Sequence, residues 1–167
     1  MKALQPTSSR SVICTLYGNV LQIKLGKVLY SVRLVNADFP DYEKVFPREL
    51  NHEVIIDRES LKQSLLRAGA IFSEKIKKVL FCFKENQLLI KATNSEHDKL
   101  VDSVTIENQK AADLNIGFNA SYLLDFIGNI EAQNLKISFV GRDAGVLLTP
   151  ADEMDFDYSY VVMPLKI

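Results

Sequence analysis

Apolar residues in this chain recur mostly at a spacing of two, and in two places at a helical spacing. The first alternating runs are 11–17 (SVICTLY), 20–25 (VLQIKL) and 28–35 (VLYSVRLV), separated by Gly18-Asn19 and Gly26-Lys27. Short apolar runs divided by a glycine-bearing pair are a hairpin signal, so the pattern predicts an antiparallel three-stranded meander. No helical pattern long enough to cover it lies nearby, and a bare three-stranded sheet is marginal in water. The expectation is that it closes a domain whose beginning is missing. Residues 1–10 read as a helix remnant followed by a polar linker. Residues 36–47 carry Pro40 and Pro47, with acidic and aromatic residues between them, and predict an ordered connector.

From about Glu49 one pattern occurs twice. The first copy predicts a strand at Glu53–Ile56, a helix at Asp57–Phe72, and strands at 78–84, 87–93 and 101–107, with a turn at Glu85-Asn86. The second predicts a strand at 113–118, a helix at Asn119–Ile130, and strands at 134–140, 145–149 and 156–163. Asp57 and Asn119 stand at matching places as helix caps, since a short side-chain oxygen can accept from the first free N–H groups. Leu61, Leu65 and Phe72 line one helix face and Leu123, Ile127 and Ile130 the other. In the first helix Gly69 would let another backbone come close. The unit is β-α-β-β-β, twice over. The fold class is therefore α+β, with two helices side by side on antiparallel sheets. The chain then runs Tyr160-Val161-Val162-Met163-Pro164-Leu165-Lys166-Ile167. Pro164 ends the strand for want of an N–H. The apolar residues after it predict a short tail lying beside an apolar groove rather than fraying into solvent.

Composition narrows the function classes. The 167 residues are 47% hydrophobic and 25% charged, enough for one full domain or one plus part of another. A net charge of −1 excludes bulk electrostatic attraction as a means of holding nucleic acid. Cys14 and Cys82 fall in strand-like runs and read as buried reduced thiols. No apolar segment reads as a signal peptide or membrane span, so a soluble cytoplasmic protein without a membrane partner is expected. His52 and His97 have no Ser or Cys partner at a strand–helix elbow, zinc spacing is absent, and no glycine-rich phosphate loop appears. The acidic run at 152–157 alternates with Met154, Phe156 and Tyr158 and reads as the solvated face of a strand. Neither an enzyme, a cofactor nor a metal is expected.

Three stretches carry a resemblance: Phe39-Pro40-Asp41-Tyr42-Glu43-Lys44-Val45-Phe46-Pro47, Ile116-Gly117-Phe118-Asn119-Ala120-Ser121-Tyr122-Leu123-Leu124-Asp125, and Tyr160-Val161-Val162-Met163-Pro164-Leu165. In order and near-spacing they resemble the bacterial DNA polymerase III beta subunit, the sliding clamp, from about residue 10 onward. Glu85-Asn86-Gln87-Leu88 is a fourth, shorter match. The resemblance implies a DNA-clamp fold, with residues 1–42 as the end of a second clamp domain plus connector and 43–167 as the third domain. It implies a non-catalytic processivity factor of DNA replication. The full-length family member is a head-to-tail homodimer, a ring that encloses duplex DNA without reading bases. The replicative polymerase, clamp loader and repair proteins dock on it through short hydrophobic peptides.

Carried over by position, the resemblance implies a peptide groove at Pro40, Lys44, Val45, Ile76, Asn119, Tyr122, Val161, Met163, Pro164 and Leu165. It implies DNA-facing positions at Arg58, Lys62 and Arg67, and a subunit contact at Ala70, Ile71 and Phe72. Ile76 stands where the family often has an aromatic residue, and Ala70 is smaller than expected at a subunit contact. Because the first domain and most of the second are not in this sequence, this chain alone is not expected to close a family-type ring. The alternative is a free-standing interaction module of the same fold that never joins a ring.

Overall fold

A computed structural model describes residues 12–47, 49–74, 76–108 and 113–166, with Asn108 described in its backbone only. The expected helix remnant and linker at 1–10 lie outside the described residues. The chain divides into two compact units, Met1–Pro40 and Asp41–Ile167.

In the first unit β1 (Ile13–Tyr17), β2 (Val20–Leu25) and β3 (Val28–Arg33) form an antiparallel sheet in that order. Both turns place a glycine at positive φ, Gly18 at +55° and Gly26 at +60°, where a side chain would be strained. The register puts Cys14, Ile23 and Tyr30 in one cross-strand row and Leu16, Leu21 and Val32 in the next, with Leu25 opposite Val28. Directly opposed residues share a face, so this side of the sheet is apolar throughout. The other side mixes Thr15, Gln22, Lys24, Ser31 and Arg33 with Ile13, Tyr17, Val20 and Leu29. Cys14 is exposed, against the expectation of a buried thiol, because none of the described residues covers the strand that carries it; Cys82 is buried.

The second unit opens with a 3₁₀ turn at Tyr42–Val45. The two predicted repeats then follow. The first is β4 (His52–Asp57), α1 (Arg58–Ala70), β5 (Lys78–Lys84), β6 (Gln87–Thr93) and β7 (Lys99–Asn108). The second is β8 (Leu114–Asn119), α2 (Ala120–Gly128), β9 (Asn134–Phe139), β10 (Val146–Pro150) and β11 (Tyr160–Val162). The eight strands join in one antiparallel sheet of order β11-β10-β9-β4-β7-β6-β5-β8. The two helices pack on each other and on that sheet.

Both helices begin on the predicted caps. Asp57 Oδ1 accepts from the Ser60 N–H at 2.7 Å, and Asn119 Oδ1 accepts from the Ser121 N–H at 3.1 Å. Leu61, Leu65, Leu123 and Ile127 are buried against Phe81, Phe83, Phe118 and Phe139. Helix α1 stops at Ala70, leaving Phe72 half-buried beyond it, and α2 stops at Gly128, with Ile130 buried just outside. At Gly69 the Lys77 side chain, not another backbone, crosses the site where a Cβ would stand, at 3.8 Å.

The predicted strand 156–163 shrinks to Tyr160–Val162. Its alternation is that of a strand, but Tyr158 stacks on Phe126 at 5.6 Å, and Tyr160 does so at 5.2 Å. The aromatic residues before β11 are thus held by ring contacts on α2 rather than by a ladder. At the far end the Leu165 N–H donates to the Gly117 carbonyl at 2.8 Å. Since β11 is at one edge of the strand order and β8 at the other, the three residues after β11 cross from one edge to the other. The sheet is curled until its edges nearly meet.

Candidate functional site

The tail after β11 is held at both ends of its path. Leu165 bridges to Gly117 of β8, and the Lys78 ammonium donates to the Lys166 carbonyl at 2.7 Å. Pro164, just before them, has no N–H to satisfy. Gly117 lies two residues before the α2 cap, Asn119, and the Ala120 N–H donates to the Lys77 carbonyl at 2.8 Å. These bonds collect Leu165, the start of α2 and the connector at 76–78 in one place.

Gly145 joins the other side of the tail to the 3₁₀ turn. A Cβ there would lie 3.2 Å from Val161 Cγ1, 3.5 Å from Met163 Sδ and 3.8 Å from the Val45 carbonyl oxygen. The missing side chain is what lets the tail and the turn approach. Gly145 was not expected from the sequence; its one available signal is a glycine at the entry to a short apolar run, which is ambiguous with a turn.

Four large apolar side chains of this region stay in water: Val45 is 53% exposed, Ile76 60%, Tyr122 54% and Met163 60%. Val161, Pro164 and Leu165 are half-buried. Lys44 is exposed and pairs with Asp41 at 2.9 Å. Asn119 is 7% exposed, and its side chain caps α2. Pro40 is exposed at the end of the first unit. Burial, then Asp125, Tyr122 and Tyr158, holds the Tyr160 phenol above its ordinary pKa of 10.0, so it is a neutral hydroxyl at physiological pH. A hollow of about 220 Å³ lies between Arg142, Asp143, Leu165 and Lys166. The larger hollows, about 610 Å³ along 149–159 and about 510 Å³ beside the start of α1, are lined by other residues and carry several carboxylates.

The three basic positions of α1 are all engaged. Arg58 Nε donates to the Ala132 carbonyl at 2.8 Å, and an Nη donates to the Ile127 carbonyl at 3.4 Å. That places a cation on the C-terminal carbonyls of α2, where the helix dipole favours it. Lys62 lies 3.8 Å from Glu59, and Arg67 pairs with Asp102 at 2.6 Å. At the end of α1, Ala70 is exposed while Ile71 and Phe72 pack on the core. Asn94 Nδ2 donates to the Ile71 carbonyl at 2.8 Å, satisfying an end-of-helix acceptor. Among the described residues no group of three or more His, Cys, Asp or Glu side chains is placed to hold a metal ion, and no helix is long and apolar enough to cross a membrane.

Known proteins share this architecture. A beta sliding clamp from Haemophilus influenzae is 30% identical over 149 residues, which is 89% of this chain and 40% of that protein. The crystal structure of a DNA polymerase sliding clamp from Pseudomonas aeruginosa with ligand superposes with a TM-score of 0.84 at 31% identity, covering 93% of this chain and 42% of that one. The DNA polymerase III beta subunit from Thermotoga maritima gives 0.82 at 27% identity, covering 96% and 43%. The chain thus spans about 40% of the length of the curated relatives it matches. Residues 43–166 match the family described as DNA polymerase III beta subunit, C-terminal domain, and the chain belongs to that sliding-clamp family.

Proposed function

We propose that this chain acts in DNA replication as the C-terminal part of a sliding clamp, a non-catalytic cytoplasmic processivity factor. The second unit is the third clamp domain and the first unit is the closing strands of the second. Its working site is an apolar groove along the tail, lined by Lys44, Val45, Ile76, Asn119, Tyr122, Val161, Met163, Pro164 and Leu165. The groove takes a short peptide with two apolar anchors from the replicative polymerase, the clamp loader or repair proteins. The observation that carries this reading is the set of four exposed apolar side chains around a tail that is itself pinned by backbone bonds. A fixed floor with greasy, partly flexible walls suits an extended peptide, and the Met163 thioether can adapt to it.

Two buried anchors contribute roughly 3–6 kcal/mol, and lost freedom removes several of these. Two anchors alone thus fall short of the roughly 8 kcal/mol of a micromolar complex, and weaker binding follows. Arg58, Lys62 and Arg67 serve as DNA-facing residues only in a closed head-to-tail ring, since paired cations give weak, salt-sensitive attraction on their own. Ala70, Ile71 and Phe72 form the contact with a neighbouring subunit. The test is an NMR titration of the chain with a peptide carrying two large apolar residues. Shifts at the Met163 methyl and Tyr122 ring are expected. Unmoved signals at millimolar peptide would sink the groove assignment.

A further inference from the structure

We infer that the side of the larger sheet turned away from the helices, over β5, β6 and β7, docks an acidic segment of another protein. On these strands Val79, Phe81, Phe83, Leu88, Ile90 and Ala92 are buried in the core. The pleat turns the residues between them the other way. The register sets those residues in rows: Lys84 beside Gln87 and Thr105, Cys82 beside Leu89 and Ser103, Leu80 beside Lys91 and Val101, and Thr93 beside Lys99. Lys78 stands at the same end of β5 as this last row. The face therefore carries four lysines and no carboxylate.

Lys78, Lys84, Lys91 and Lys99 are exposed, and none of them makes an ion pair among the described residues. Lys78 donates to a carbonyl and keeps its charge. The nearest carboxylates along the chain, Glu85, Asp98 and Glu107, lie beyond the ends of the rows. Other cations of this unit are matched: Lys136 of β9 lies 3.9 Å from Glu53 of β4 on the same side of the sheet, and Lys62 and Arg67 of α1 have acidic partners. On this grid neighbouring lysines stand about 8–14 Å apart. That is comparable with the roughly 8 Å over which physiological salt screens a charge. Their fields overlap, and the face is a positive patch on a chain whose net charge is −1.

Apolar side chains lie among the lysines. Leu80 and Leu89 are half-buried, and Val101 is 64% exposed. An apolar centre with a charged surround is the layout of a contact between proteins. The surround calls for carboxylates, and its mixture with leucine and valine suits a segment in which acidic and apolar residues are interspersed. A nucleic-acid strand fits less well, because no aromatic ring on the face offers bases a surface to stack on. The patch lies within the second unit and uses none of the residues assigned to the peptide groove, to DNA or to the subunit contact. It stands or falls separately from those assignments.

The experiment titrates the whole chain with a short labelled peptide of glutamate interspersed with valine, at low and at high salt. Half-saturation below about 1 mM is expected at low salt. Amide shifts should fall in β5 and β6, and high salt should weaken binding several-fold. This map uses the unsubstituted chain, so it does not depend on any variant folding. Reversing two charges of the patch, Lys84→Glu with Lys91→Glu, should weaken binding at least about fivefold. Lys24→Glu with Lys27→Glu, the same charge change on the first unit, should leave it unaltered. No binding at about 1 mM, affinity indifferent to salt, or equal weakening by both pairs of substitutions overturns the proposal. So do shifts at Met163 and Tyr122 in place of β5 and β6, which would put the peptide in the groove. An oligonucleotide of equal charge that moves the β5 and β6 amides at lower concentration than the peptide would give the face to nucleic acid and also overturn it.

Discussion

Arg58 shows how a side chain chosen for one role can be committed to another. As the first residue of α1 it could point to solvent, yet its guanidinium reaches across to the end of α2. Bonds from a charged donor to backbone carbonyls are each worth about 1.5–3 kcal/mol when made, and a truncation leaves the carbonyls short of a partner. Arg58→Ala should therefore lower unfolding stability by about 1–3 kcal/mol in urea titrations. Arg58→Lys should recover only part of the loss, because an ammonium cannot span two carbonyls in fork geometry. Asp57, the preceding residue, gives a pH handle. Its bonds from Ser60, side chain and backbone, hold the carboxyl below its ordinary pKa of 3.8. In acid the unfolded chain therefore takes up this proton first. The cap's contribution is complete above the ordinary aspartate range and is lost as pH falls from about 4 through the depressed folded value. Asp57→Asn keeps a good cap and should remove that part of the acid sensitivity, while Asp57→Ala should cost about 1 kcal/mol at neutral pH. Thermal melts between pH 2.5 and 7 distinguish the two.

At the scale of elements, the twice-used β-α-β-β-β pattern was legible because each boundary carries its own chemistry: Asp57 and Asn119 cap the helices, and Glu85-Asn86 makes the turn between β5 and β6. Residues 156–159 were misread as strand because period-two alternation does not say what faces the apolar side, and here it is the Phe126 ring. The proposed groove was half legible. Its apolar residues could be placed by likeness to the family, but burial and pairing could not, so the ion pairs of Lys62 and Arg67 emerged only in three dimensions. Gly145 was missed because a close approach between β10's start, β11 and the 3₁₀ turn is a tertiary fact with no local pattern. Gly145→Val should push the tail away from the turn, with an overpacking cost of about 1–3 kcal/mol. Shifted amide resonances at 160–163 and weakened peptide docking would check this. An unchanged spectrum would mean that the tail yields without strain.

Over the whole molecule, the two units differ in how firmly they are built. The second has a continuous core under both helices, while the strands of the first hold few buried residues. Local opening follows such differences, so stability should not be a single number for this chain. In hydrogen exchange at low micromolar concentration the amides of β1–β3 should exchange well before those of β4 and β7, the central strands of the larger sheet. Uniform protection would contradict the division into unequal units. The crossing made by Met163–Lys166 has a further consequence. Leu165 occupies the otherwise unpaired margin of β8, and Lys166 is fastened to Lys78 beside it. An open sheet margin, with its row of unpaired N–H and C=O groups, invites other chains to add to it. Clipping these last few residues would thus do more than trim the proposed docking surface: it would unplug a seam and turn a well-behaved body into a seed for sticking.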